Sequence, residues 1–305
     1  MTTACPTSPL RAASAADERR GMLLGLLGVA MFSLTIPFTR MAVADLDPVF
    51  VAFGRACGAA LLAGAWLAWT RAPLPPHSAL LPLALVSGGC VIGFPLLTSI
   101  ALRTLPAAHG ALLVGVLPLA TALYAALRGF EKPSTGFWAM AVLGSGLVAA
   151  FALAQGGGSL HMADLLVFAA VAAAAVGYAE GGRLSRSIGG PEVICWALLL
   201  SVPVLLPVLL WSGLPDLGAV GASSWLGFAY VTAISMFIGF FFWYRALALG
   251  GVARVGQVQL LQPFLSLLGA ALLLGEPLTL INCAFALAVA AVVFAGRRMQ
   301  VHRQR

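Results

Sequence analysis

Charge is scarce in this chain. Charged side chains make up 9% of its 305 residues, while apolar types make up 61%. A soluble domain carries about 25% charge. The chain therefore lacks the means to cover a water-facing surface, and a soluble enzyme is excluded. Its hydrophobicity excludes disorder as well. Lysine is nearly missing, with Lys132 the only one among seventeen basic residues. The net charge of +7 is thus carried by arginines, which sit singly at the ends of apolar runs. That pattern reads as membrane topology, not as the basic patch that nucleic acid requires. The five cysteines (Cys5, Cys57, Cys90, Cys195, Cys283) lie far apart and form no C-x-x-C, so neither a disulfide framework nor a zinc site is indicated. The sequence has no H-E-x-x-H, no G-x-x-x-x-G-K and no D-D-x-x-D. Metalloprotease, ATP-driven and prenyl-diphosphate chemistry thus find no support. His77, His109, His161 and His302 read as lying in or near loops or the tail. No catalytic residue, metal or cofactor is expected.

Long apolar runs are what the chain has in abundance. Candidate spans cover 21–42, 49–70, 79–102, 107–128, 135–155, 163–182, 192–212, 223–248, 253–274 and 279–297. Helices of about 20 residues joined by short loops give a chain of this length room for about ten crossings. The breaks hold helix-ending residues, as in Asp45-Leu46-Asp47-Pro48 and Gln155-Gly156-Gly157-Gly158-Ser159. Backbone groups need partners in lipid, and continuous apolar runs do not alternate as barrel strands do, so the spans are helices. Residues 21–44 follow a basic start and resemble a signal peptide, but the run is too long for one and reads as a retained first helix. Counting Arg and Lys in the loops gives fourteen on one side and two, Arg40 and Arg103, on the other. Both termini are therefore expected in the cytoplasm, in a bacterial-type inner membrane.

An internal repeat organises these spans. A shift of 145 carries Ala101-Leu102 onto Ala246-Leu247, Pro118 onto Pro263 and Glu131 onto Glu276. A shift of 143 carries Arg40 onto Arg183 and Pro48 onto Pro191. Each half holds five spans, and an odd number makes the second half enter the membrane from the opposite side. The expected fold is an all-α membrane protein of ten transmembrane helices in two inverted five-helix repeats. The first repeat covers 21–155 and the second 163–297, with tails at 1–20 and 298–305. Secondary transporters use this architecture and bind substrate between the halves.

The stretch from Gln262-Pro263-Phe264 to Leu274-Gly275-Glu276 resembles the ninth helix of the drug/metabolite transporter superfamily, EamA type. Its first-half mate, Leu117-Pro118-Leu119 through Phe130-Glu131, resembles the fourth. The resemblance covers residues 21–297 and implies export of small metabolites, amino acids foremost. It leaves the substrate and the oligomeric state open, a monomer being compatible with it. Asn282-Cys283-Ala284 replaces the first half's Gly136-Phe137-Trp138, and the last helix lacks Gly144-Ser145-Gly146, so its packing can differ. A nucleotide-sugar or sugar-lipid carrier of the same superfamily is the nearest alternative, and it would need more cavity cations. A membrane-embedded lipid-phosphate enzyme is a further one, and it would need clustered carboxylates or histidines.

Several residues in the spans are candidates for transport. Gln259, Gln262 and Ser266 share one face of the ninth span, with Gln257 nearby. They read either as substrate contacts or as interhelical hydrogen bonds. Arg55 lies inside the second span, as a carboxylate site or as a cation reaching back to Asp45 or Asp47. The functional reading is preferred, because charge inside a membrane is costly. Trp243 and Tyr244 read as cavity wall or, with some preference, as an interfacial belt, and Phe94, Thr98 and Tyr178 are candidates for the cavity wall. Pro118 and Pro263 are repeat-related hinge candidates or static kinks. Glu180 is a possible proton-coupling acid, though an ion pair with Arg183 is the preferred reading.

Overall fold

The computed structural model describes residues 15–129, 131–155, 161–213, 215–216, 218–250, 255–298 and 301–303. The expected linker at Gly156–Ser159, Arg254, Cys5 and the side chain of Gln257 lie outside them. The described chain is helical, save one three-residue antiparallel ladder between β1 (Glu131–Pro133) and β2 (Val301–Arg303).

The first half runs α1 (Ala15–Ser33), α2 (Thr35–Ala42), α3 (Pro48–Thr70), α4 (His77–Val86), α5 (Phe94–Ala101), α6 (Ala107–Val114), α7 (Leu117–Leu127) and α8 (Thr135–Gln155). The second runs α9 (Met162–Ile188), α10 (Gly190–Ser212), α11 (Ala222–Ala229), α12 (Gly239–Gly250), α13 (Gln262–Leu274) and α14 (Leu280–Arg298). Among the described residues, seven stretches are long and apolar enough to cross a membrane, from Arg19–Ala42 to Ala222–Leu249. The chain is a multi-pass membrane protein. Lipid-facing side chains such as Leu61, Trp69, Val142, Trp211 and Leu272 are exposed and apolar, as a hydrocarbon solvent demands.

Local chemistry sets the helix ends. Asp47 caps α3, its carboxylate accepting from the Val49 and Phe50 amides, with Pro48 in the first turn. Glu276 caps α6 from the other half, its two oxygens each 2.7 Å from the Ala107 and Ala108 amides.

The halves interlock. Helix α1 packs along α12, and its counterpart α9 packs along α4 and α5. Helix α3 packs on α10, α6 on α13, and α8 on α14. Exchanging the halves maps this set of contacts onto itself.

The spans are less regular than continuous helices. The first breaks at Leu34, between α1 and α2. The third and eighth contain π-helical segments at Ser87–Gly93 and Tyr230–Ile238, which the repeat shift superimposes. The fourth breaks at Gly115-Val116, and the ninth begins with a 3₁₀ segment, Gly256–Leu261. Pro118 and Pro263 follow those breaks, each in the first turn of the next helix. Each of the two therefore occupies a helix start, where a missing N–H costs little.

Candidate functional site

A small cavity lies between the halves. The first half contributes Phe32, Thr35, Arg55, Cys90, Phe94 and Leu117, and the second contributes Ala174, Tyr178, Ser235, Phe240 and Gln262. The free volume is about 20 Å³, room for about one water. The wall is built from repeat mates. A shift of 145 carries Leu117 onto Gln262 and Cys90 onto Ser235, and a shift of 143 carries Thr35 onto Tyr178. The cavity therefore sits where the halves exchange. Cys90 and Ser235 both lie in the π segments, so non-α backbone flanks the cavity on both sides. Such segments concentrate at functional sites.

Arg55 is the cavity's cation. It is 2% exposed, and its Nε and Nη1 have no hydrogen-bond partner among the described residues. The alternative in which it reaches back to Asp45 or Asp47 fails. Asp47 caps its own helix, and Asp45 accepts from the Gly221 amide and the Ser224 hydroxyl. A buried guanidinium without a partner is expensive, and a ligand carboxylate would satisfy it.

Four sequence candidates meet at this cavity: Arg55, Phe94, Tyr178 and Gln262. Others stand behind it. Gln259 is 3% exposed, with its amide nitrogen unpaired. Ser266 donates to the Ser33 carbonyl at 2.7 Å, which is an interhelical hydrogen bond. Thr98 donates to the Phe94 carbonyl of its own helix at 2.6 Å. Trp243 and Tyr244 are buried, so the interfacial-belt reading is overturned. Trp243 packs against Phe32 and Tyr178, and the Tyr244 hydroxyl donates to the Gly177 carbonyl at 3.1 Å. Helices must come close there, and the Gly177-x-x-x-Gly181 spacing provides for it. A Cβ at Gly181 would strike the Tyr244 ring, and one at Gly177 would strike Cys90. The two break points also meet, since a Cβ at Gly115 would lie 3.0 Å from the Pro263 ring.

Three residues escaped the sequence reading. Thr35 and Ser235 share a hydrogen bond of 2.8 Å across α2 and the second π segment, in the cavity wall. Applying the repeat shift to Tyr178 and Cys90 finds both. His109, the third residue of α6, is buried and lies 2.8 Å from Asp164.

Two larger vestibules of about 480 and 550 Å³ open at the end of the bundle that holds Arg40 and Glu276. At the opposite end, the Glu180 carboxylate is fully buried. It accepts from the Tyr124 hydroxyl at 3.0 Å, from Arg128 at 3.3 Å and from Arg183 at 3.0 Å. This is the ion pair with Arg183, extended by two groups of the first half.

A bundle of apolar helices folded around a buried, charged cavity defines a multi-pass membrane transport protein. The chain belongs to the EamA-like transporter family, whose model matches residues 19–152 and again 161–296. It is thus a member of the drug/metabolite transporter superfamily. It is 46% identical over 278 residues to the "Uncharacterized transporter YdeK" of Bacillus subtilis (strain 168), covering 91% of this chain and 97% of that one. A solved crystal structure with 20% identity matches with a TM-score of 0.63, over 90% of this chain and 98% of the other, which shows the shared fold.

Proposed function

We propose that the chain exports small metabolites, amino acids foremost, by alternating access through the cavity between its halves. In this reading, ten spans form two inverted repeats, and both termini face the cytoplasm in the inner membrane. The exchange of contacts between halves and the odd span count per half support the inversion. The repeat-mated wall supports a substrate position on the pseudo-symmetry axis.

One observation carries the reading: the unpartnered Arg55 guanidinium in a cavity that both halves line. It binds the substrate carboxylate. Gln262, Thr35 and Ser235 supply hydrogen bonds for an amino group, and Phe32, Phe94, Tyr178 and Phe240 receive an apolar side chain. Ser266, behind the wall, ties the ninth span to the first through the Ser33 carbonyl. The cavity has room for about one water, so an amino acid enters only when the halves part. The breaks beside Pro118 and Pro263 are where they pivot. Arg55 is the only cation among the described lining residues, which favours a monocarboxylate over a nucleotide sugar.

The test is uptake of labelled amino acids by the reconstituted chain, with and without a pH gradient. Arg55→Ala and Gln262→Ala should lower flux at unchanged folded yield. Unchanged flux in both removes the cavity as the substrate site.

A further inference from the structure

The Arg40 end holds a titratable couple that the substrate cavity does not use. Asp164 is fully buried near the start of α9. Its Oδ1 lies 2.8 Å from His109 Nε2, and its Oδ2 accepts from the His161 amide at 2.9 Å. His109 belongs to α6, in the first half, and Asp164 to α9, in the second, so the couple ties the halves together. The ring is not sealed off, because His109 lines the vestibule of about 480 Å³. Helix α6 ends at the Gly115-Val116 break, directly before Leu117 of the cavity wall. About two helical turns thus join the couple to the substrate site.

We propose that His109 and Asp164 form a proton-binding site of the carrier, its ligand a proton taken from the vestibule on the Arg40 side. The proposal rests on the carrier reading above. With the carboxylate ionised, His109 Nε2–H is the donor, and Nδ1 is the atom that takes up the second proton. Without that proton the couple is a net negative charge among apolar helices. With it the couple is a neutral imidazolium–carboxylate pair, which is cheaper to bury. Proton binding therefore strengthens the docking of α6 on α9, and proton loss loosens it. The neighbouring charges do not replace this step. Arg40 from α2, and Glu276 beyond α13, face the same vestibule with opposite signs, and Glu276 is already committed to the α6 amides. His161 at the α9 start and Asn282 of α14 complete the rim, and Phe151 of α8 covers the ring at 5.2 Å.

The test uses the full chain in liposomes of bacterial polar lipid, with a labelled amino-acid mixture as the probe, and the detergent-purified chain for melting curves. Wild-type flux should change several-fold as the pH on the Arg40 side moves between about 5 and 8, and the melting temperature should rise toward the acid end. His109→Gln, which keeps an amide donor, and Asp164→Asn, which keeps the cap acceptor, should each lose both responses. A pH response that survives in His109→Gln and disappears in Glu180→Gln overturns the proposal and moves the site to the opposite end. If the wild type carries none of the labelled compounds, the carrier reading fails by itself. The melting curves then decide on the couple: a wild-type shift lost in His109→Gln supports it, and a shift kept there overturns it.

Discussion

The Ser266 hydroxyl supplies the hydrogen bond that Pro37 denies to the Ser33 carbonyl. In a continuous helix, Ser33 would receive the amide of the residue four positions on. That residue is Pro37, which has no N–H. The first span breaks there, and Ser266 of α13 donates to the Ser33 oxygen at 2.7 Å. Gly269, one turn further along the same face, makes room, since a Cβ there would lie 3.3 Å from the Pro37 ring and closer still to Leu34. The break is held by a partner from the other half.

Ser266→Ala should therefore destabilise the fold by about 1–2 kcal/mol, because it leaves a buried carbonyl unpaired. Pro37→Ala restores an amide within reach of Ser33. In a double-mutant cycle read by thermal melting in detergent, the Ser266→Ala penalty should shrink in the Pro37→Ala background. Equal penalties in both backgrounds would show that the hydroxyl is not the carbonyl's substitute partner.

Gly181 is filled by its neighbour. The Tyr244 ring lies where a Gly181 side chain would be, and its hydroxyl bonds Gly177 one turn earlier. Gly181→Ala should cost about 1–3 kcal/mol by overpacking. Tyr244→Phe removes the nearest clashing atom and should recover part of that loss. An alanine as stable as the wild type would mean that α9 and α12 are not pressed together here.

The legibility of this protein in its sequence divides along physical lines. The spans were legible because lipid demands long apolar runs, and the repeat was legible because Pro118 and Pro263 keep their spacing. The breaks were not. Hydropathy is blind to whether a backbone bond reaches four residues or five, so Tyr230–Ile238 reads as ordinary helix although it is π-helical. At the cavity, Arg55, Phe94, Tyr178 and Gln262 stood out as charge, amide or aromatic rings in spans. Thr35 and Ser235 did not, since a lone hydroxyl in an apolar span is usually absorbed by its own helix. His109 fell inside the expected span 107–128, but its pairing with Asp164 was not legible, since the two lie 55 residues apart.

Glu276 makes a further link across the halves. It holds the α6 amides at 2.7 Å from the far side of the repeat boundary and borders both vestibules. Glu276→Ala should lose about 1–2 kcal/mol as two helix-start donors go unpaired, whereas Glu276→Gln keeps one acceptor and should lose less. Hydrogen exchange at Ala107 and Ala108 reads the effect locally. Unchanged protection in the alanine variant would show that the cap contributes nothing to holding α6.

Arg55 separates a functional cost from a structural one by sign. An unpaired buried guanidinium destabilises the protein that carries it, so an apolar replacement of similar length should raise stability. Arg55→Met should therefore melt higher than the wild type while transporting less. A hydrogen bond to a charged group contributes about 1.5–3 kcal/mol, so flux at low substrate should fall roughly ten- to a hundredfold. Melting and flux measured on one preparation decide the matter. A structural arginine would lower both together, and an idle one would change neither. Only a residue kept for the ligand should show the two moving in opposite directions, with added carboxylate substrate raising the melting temperature of the wild type and not that of the variant.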